Sequence, residues 1–570
     1  MTIGSFQTEK FEPILTVAAV ALAFLVPIYF SILDPDWHHD GIMFKPAADV
    51  AAGLSLYKDS FYQYGFLTAH LQAFFINLFG KYLIVLRLQS AVLLGMSGLL
   101  MFVLARRVSS TGVATMVIIV WLGLAPYIGE TFLPWSSIYA LFFVLLAAYL
   151  LGKAFDEDTS TRYCYWLCFL AGFSLTAAFW TRQPFGLMLP LMFMLFPLLA
   201  LDRGIDNRRI GIAALGYCLG FLPLSLIILY VLNSETALQD WWIQSFAFAQ
   251  KFTSVSTDSQ QTFVTNLVRH LLPRPHQIGG IGGGPIWRTL PILMLLVFSG
   301  VILCLGFFRK QSTELRNLLI VSLLSIGMWH QYFPVSGAWQ IYWGATPMIV
   351  VVVTALYRLC MNYKITSRFH FMLVLIPTGL LFGPEVQTRV SPFPETIPAY
   401  RISIPTLEGM WASPKLSSRN RFDGTVAEYK KELDELGRVL SQIRSLDPER
   451  ALITLTEDLY LAATLAADNP SPVTAGWLPL HRLYPRHREQ LKDFIAARQP
   501  VIEASLKPRV PNQDFDWFSQ DPAHVSIRQK YGLDDYGVIL QTEFSDSGTR
   551  LLLAPKDFIT LYKVHFGEAQ

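Results

Sequence analysis

Three carboxylates and two imidazoles fall within the seven residues Asp34-Pro35-Asp36-Trp37-His38-His39-Asp40. They stand directly behind the first long apolar stretch of the chain. Carboxylates and imidazoles are the side chains that commonly accept and release protons in catalysis. Ionisable groups at a membrane boundary are costly to bury and are usually kept for a purpose. The cluster, with Asp40 among its carboxylates and His38 and His39 as candidate substrate contacts, therefore reads as kept for function. Asp34 and Asp36 also read as groups that cap or solvate the turn, and Trp37 as an interfacial anchor. A His-His-Asp set can hold a divalent ion, but adjacent histidines rarely face the same way. No cofactor is expected, and a divalent metal is the less favoured alternative. Further on, Tyr57-Lys58-Asp59-Ser60-Phe61-Tyr62-Gln63-Tyr64 is dense in hydroxyls and rings. Tyr57, Tyr62 and Tyr64 can stack on sugar faces or sit at headgroup depth, and Lys58 is a candidate contact for a donor phosphate.

These residues need elements to position them, and the composition says which. Of 570 residues, 53% are hydrophobic and 15% charged, where a soluble chain carries about 25% charged. Fibrous, disordered and secreted classes are excluded. The net charge of +3 gives no reason to expect a nucleic-acid partner. None of the five cysteines falls after residue 360, so no disulfide framework is expected. A spanning helix needs about 20 mostly apolar residues. Eleven stretches qualify: Pro13–Leu33, Tyr82–Leu104, Thr111–Ile128, Ser136–Leu151, Tyr163–Trp180, Pro184–Leu201, Ile210–Leu232, Trp287–Phe308, Leu315–Phe333, Ile341–Cys360 and Ile365–Phe382. The fold class expected is a polytopic α-helical membrane protein with about eleven transmembrane helices. Lys and Arg concentrate in one set of connections, such as Arg106-Arg107, Arg208-Arg209 and Arg309-Lys310, and these are assigned to the cytoplasm. Two long loops, 34–81 and 233–285, then lie outside with everything after about residue 385. In the first, Ile42–Ser55 and Phe66–Phe79 read as interfacial helices. From Val386 onward there are 22 Lys+Arg and 24 Asp+Glu and no spanning run. The chain thus divides into a membrane region, 1–385, and a soluble α/β domain, 386–570. In the latter, helices are expected over Thr425–Leu446, near Asp458–Ala467 and over Glu489–Ala497. Strands are expected at Ala451–Thr454, Tyr536–Glu543 and Thr549–Ala554.

Other outer residues could complete a site. Glu130 is the only charge in the turn Tyr127–Pro134 and is a second candidate carboxylate. Arg182 stands at an outer turn where the positive-inside bias disfavours it, and its planar fork suits a phosphate. Arg269 and His270 lie in the second long loop as a basic set for a diphosphate or an acceptor. The glycine run 279–284 lacks the Lys-Ser/Thr partner of a nucleotide loop and reads instead as a hinge. Trp329–Pro334 and Trp339–Trp343 are polar and aromatic at helix ends, and read equally as cavity lining or as an interfacial belt.

Asp40 behind the first helix, the short helical run Ala48–Ala52, Gly53-Leu54-Ser55-Leu56-Tyr57-Lys58-Asp59, and Gly80 followed by Arg87 resemble the first outer loop of GT-C superfamily glycosyltransferases. The resemblance covers roughly residues 10–385. It is nearest to the branch that uses polyprenyl-phosphate-linked sugars, which includes aminoarabinose and protein O-mannosyl transferases. It implies a lipid-linked sugar donor and Asp40 as the base that deprotonates an acceptor hydroxyl, with inversion at the anomeric carbon. It also implies a second acid near Glu130 and a lipid-phosphate contact at Arg182. The pattern departs at Gly41, where many relatives carry a second acidic residue, and at Trp135-Ser136, where they place Asp.

The expected activity is therefore transfer of a sugar from a polyprenyl-phosphate donor to a glycan, glycolipid or protein acceptor. The expected setting is a cell inner membrane, with the site and the C-terminal domain facing the periplasm. A lipid or glycolipid transporter is one alternative; it is weakened by the lack of a paired repeat or of midplane charges. A polymerase or ligase using diphosphate-linked glycan is another; it would favour a strongly basic outer loop.

Overall fold

The computed structural model describes residues 5–36, 39–129, 131–202, 204–247, 285–308, 312–332, 338–361, 367–391, 393–414, 426–454, 485–506, 531–544 and 548–567. Each of the eleven apolar stretches is helical. Among the described residues seven helices are long and apolar enough to cross a membrane: Phe11–Ser31, Leu83–Arg106, Ser136–Ala154, Thr161–Thr181, Asn207–Ser234, Ile286–Gly306 and Ala338–Cys360. The other four stretches are short or proline-broken. Thr111–Gly123 has 13 residues and Thr313–Met328 has 16. The stretch after Arg182 breaks into Gln183–Leu187, Met188–Phe193 and Leu195–Leu199, since Pro184, Pro190 and Pro197 remove backbone donors. Ser367–Val390 contains Pro377 and Pro384.

The helices that position the site are α1 (Ser5–Ser31), α2 (His39–Ala51), α3 (Phe66–Phe79), α4 (Leu83–Arg106), α5 (Thr111–Gly123), α6 (Pro126–Gly129), α7 (Ser136–Ala154) and α8 (Thr161–Thr181). With 13 and 14 residues, α2 and α3 are too short to span. They pair with each other over the first outer loop. Arginines tie helix ends at the opposite side. Arg107 pairs with Asp156 and donates to the Gly152 carbonyl at 3.0 Å. Arg316 pairs with buried Asp202 at 2.6 Å, and Arg209 donates to the carbonyls of Ala154 and Asp156. Helix-end carbonyls lack intrahelical partners, and these donors supply them.

The C-terminal region is α/β, as its composition suggested. One sheet has the order β3-β4-β6-β5. β3 (Leu452–Thr454) runs parallel to β4 (Val501–Leu506), while β6 (Gly548–Pro555) pairs antiparallel with both β4 and β5 (Tyr536–Phe544). Helices cover Val426–Leu446 and Pro485–Arg498, near the expected bounds; the helix expected near 458–467 lies outside the described residues. β4 and the last helix, Lys556–Phe566, were not anticipated. Ahead of this sheet, a strap over 400–413 folds back on itself through β1 (Tyr400–Arg401) and β2 (Trp411–Ala412). Its Leu407 and Met410 join one buried core with Phe44 and Ala47 of α2 and Leu83 of α4.

Candidate functional site

Asp40 opens α2. The turn before it is capped locally: Asp36 Oδ1 accepts from the His39 N–H at 2.6 Å and meets His39 Nδ1 at 3.1 Å. The Asp36 N–H donates to Asp40 Oδ2 at 2.7 Å. Asp40 itself is fully buried and faces Arg87 of α4, also fully buried. The contact is bidentate, Nε to Oδ1 at 3.0 Å and Nη2 to Oδ2. The same guanidinium donates to the carbonyls of Leu33 and Asp34 at 2.5 and 3.0 Å. Burial pushes the Asp40 carboxyl up to about 6, although Arg87 pulls the other way. A carboxylate has about four lone-pair sites; three are used here, so one stays free for an incoming proton.

A second polar group forms around Arg182, at the end of α8. The Gly65 N–H and the Thr68 hydroxyl both donate to the Thr181 carbonyl, at 3.1 and 3.0 Å. These bonds bring the start of α3 against the end of α8. A Cβ on Gly65 would lie 2.2 Å from the Trp180 carbonyl oxygen, so only glycine permits the approach. Tyr64 is thereby set beside Arg182, whose guanidinium lies 5.2 Å from the ring centroid. Arg182 Nη1 donates to Ser136 Oγ at 3.3 Å. Among the described residues its buried Nε has no hydrogen-bond partner, and neither has Ser137 Oγ or Tyr62 Oη. Ser136 and Ser137 form the first turn of α7, which has no side-chain N-cap. A helix N-terminus offers free N–H groups and a partial positive charge. Half-buried His330 lies close by in the short helix Trp329–Tyr332, its ring edge-on to Phe185 at 5.3 Å.

The two groups are joined through Trp135. Its ring meets His39 edge-on at 5.3 Å and packs on Trp343 at 5.3 Å. Tyr57 and Tyr62 are buried between α3 and the start of the second long loop. Tyr57 donates to the Tyr64 carbonyl at 2.6 Å, and Gln244 ties the Tyr57 carbonyl to the Tyr62 N–H. Lys58 stands apart: it is exposed and donates to Thr236 Oγ1 and the Glu235 carbonyl. His38, Glu130, Arg269 and His270 lie outside the described residues, as does the glycine run. Arg87, Ser137 and His330 were not singled out as site residues. Arg87 could have been found from the charge of a lone arginine in an apolar helix; the two others carry no such signal. Among the described residues no three His, Cys, Asp or Glu side chains form a metal-ligating group. A separate apolar groove of about 460 Å3 runs between α1, α5 and Ser367–Val390, lined by Leu25, Tyr29, Ile119, Ile128 and Phe393.

No protein-family profile and no curated protein matches the chain. Solved structures do. The oligosaccharyltransferase of Archaeoglobus fulgidus, in its apo form, is similar over 88% of this chain and 70% of that one, at 11% identity and a TM-score of 0.50. The two chains share a fold. ArnT from Cupriavidus metallidurans, bound to undecaprenyl phosphate, is similar over 95% of this chain and 97% of that one, at 12% identity and a TM-score of 0.49. The expectation of a polytopic helical chain is met by the fold shared with the oligosaccharyltransferase; the count of eleven spans is not part of what that likeness carries. Within this fold Asp40 and Arg87 lie where the chain leaves α1 and enters α4, and Arg182 lies where it leaves α8.

Proposed function

We propose that this chain is an integral membrane glycosyltransferase that moves a sugar from a polyprenyl-phosphate donor to an acceptor hydroxyl. The carrying observation is the pairing of a buried carboxylate with an anion-ready cradle across Trp135. Among the described residues Arg182 Nε and Ser137 Oγ are buried without hydrogen-bond partners, and α7, whose first residue Ser136 accepts from Arg182, begins without a side-chain cap. A lipid phosphate satisfies such a set of donors. Asp40 takes the acceptor's proton as its oxygen attacks the anomeric carbon; the glycosidic C–O bond to phosphate breaks and the lipid phosphate leaves with its electron pair. Attack from the face opposite the leaving phosphate inverts the anomeric centre. Tyr62 and Tyr64 line the sugar side, and the apolar flank of α1 and α5 suits an isoprenoid tail. The acceptor is a glycan, glycolipid or protein hydroxyl. The site and the C-terminal domain face the periplasm of a cell inner membrane, and Lys58, Glu130, Arg269, His38, His39 and His270 remain candidate contacts around it.

The test is transfer of radiolabelled sugar by purified full-length protein in lipid nanodiscs, from a panel of polyprenyl-phosphate hexoses and pentoses to extracted envelope glycans. Wild type is run beside Asp40→Asn. A general base contributes roughly 10²–10⁴-fold, so the variant is expected to lose at least a hundredfold in rate while still binding the donor. Equal rates in both would remove Asp40 from the role. Donor binding without transfer from any donor would favour a transporter.

A further inference from the structure

The turn ahead of Asp40 is held from the far end of the chain. Asp34 has a left-handed backbone, φ +51°, a conformation that costs a residue other than glycine some free energy. The strap holds it there. The Asp34 N–H donates to the Trp411 carbonyl, and the Trp411 N–H donates to the Ile32 carbonyl, both at 2.8 Å. Both oxygens of the Asp34 carboxylate accept from Ser413, one from its N–H at 2.7 Å and one from its hydroxyl at 2.6 Å. Asp34 and Ser413 are buried. This clamp fixes where the carbonyls of Leu33 and Asp34 point, and those carbonyls accept from the two Nη atoms of Arg87. A guanidinium carries five N–H donors in one rigid plane. With part of that plane committed to the clamped turn, the way it meets Asp40 is decided by the turn. The strap reaches α2 a second way, through Leu407 and Met410 against Phe44 and Ala47.

We infer that Asp34 and Ser413 are positioning residues for Asp40. The strap sets the Leu33–Asp34 carbonyls, these set Arg87, and Arg87 sets the orientation of the base and keeps water from it. The C-terminal region is then part of the reaction centre, not only a cover over it. This rests on the reading of Asp40 as the base. Among the described residues, the charged groups facing Asp40 are Arg87 from α4 and Asp36 from the turn before it. Burial is the main reason its carboxyl titrates high. Releasing the strap admits water, so the acid limb of the rate profile should move to lower pH.

The experiment uses full-length protein in nanodiscs with the polyprenyl-phosphate panel, comparing wild type, Ser413→Ala, Ser413→Thr, Asp34→Asn and the exposed control Ser445→Ala. Ser413→Ala and Asp34→Asn are expected to lose roughly tenfold or more in kcat, the scale on which small misplacements cost rate, with little change in donor KM and with the acid limb lowered. Ser413→Thr keeps the hydroxyl and should restore both, and Ser445→Ala should match wild type. An unchanged kcat, or a reduced one with the limb unmoved, overturns the inference. Amide hydrogen exchange over residues 31–42 gives a readout that needs no turnover. Should wild type transfer no sugar, the reading of Asp40 as base fails by itself, and exchange decides the clamp: faster in Ser413→Ala supports it, unchanged exchange overturns it.

Discussion

Asp40 combines two features that a base in a wet loop would lack. It is cut off from water, and it is held at two points by Arg87. Its carboxyl rises from an ordinary value of 3.8 to about 6 because burial outweighs the arginine. The sign follows directly. Only the ionised form accepts a proton, so kcat/KM should climb with pH through about 6 and level off above it, as a rate profile on the purified protein would show. The same shift links to stability in the opposite sense: the contribution of this group is fully present below about 3.8 and is lost as pH rises through about 6. Arg182 is separable from this chemistry. Hydrogen bonds to charged groups are worth about 1.5–3 kcal/mol, so Arg182→Gln should weaken donor binding roughly tenfold or more while leaving the acid limb in place. Arg182→Lys keeps the charge but loses the fork and the flat contact with Tyr64, and should fall between the two. Titration of a fluorescent polyprenyl phosphate against each variant checks both statements.

The elements explain why these side chains meet at all. Gly65 is the joint between α3 and α8, and its replacement by alanine drives a Cβ into the Trp180 carbonyl. Overpacking of that kind costs about 1–3 kcal/mol, so Gly65→Ala should lower the thermal midpoint by several degrees and weaken donor binding with it. Gly211 faces open space in the helix Asn207–Gly220, and Gly211→Ala should be neutral or slightly stabilising in the same melt. Much of this level was legible in the sequence. A mostly apolar run of only fourteen residues, too short to span, marked the bounds of α3, and the carboxylate cluster behind α1 marked Asp40. What periodicity does not carry is partnership at long range. Arg87 meets Asp40 across 47 residues, and Asp34 meets Ser413 across 379. β1 and β2 are two residues each, so no pattern announces the strap; it exists only through what it binds. β4 was missed for a related reason, since its edge is defined by pairing with β3 and β6 and not by its own alternation.

On the scale of the whole molecule, the geometry answers a question that counting helices leaves open. From the sequence, the side on which the C-terminal domain lies depends on whether the last apolar stretch crosses the membrane. The contacts bypass that parity. The strap is bonded to the turn at the end of α1, and Arg87, in the second turn of α4, is bonded to the same turn. The far end of α4, at Arg106, pairs with Glu12 near the beginning of α1. Nineteen residues of helix separate Arg87 from Arg106, about 28 Å at 1.5 Å per residue, close to the thickness of a bilayer core of about 30 Å. The strap and the arginine-tied ends therefore lie on opposite faces, whatever Ser367–Val390 does. Positive charge marks the cytoplasmic face, so the prediction is specific. A membrane-impermeant maleimide applied to intact cells should label Glu489→Cys, in the C-terminal domain, and should not label Asp158→Cys, beside the Arg107–Asp156 pair, until the membrane is opened. Both residues are on helix or loop surfaces remote from Asp40 and Arg182, so each variant should keep wild-type transfer. Labelling of Asp158→Cys from outside, with Glu489→Cys protected, would place the carboxylate site on the cytoplasmic side, where nucleotide sugars are available and a lipid-linked donor would no longer be required by location.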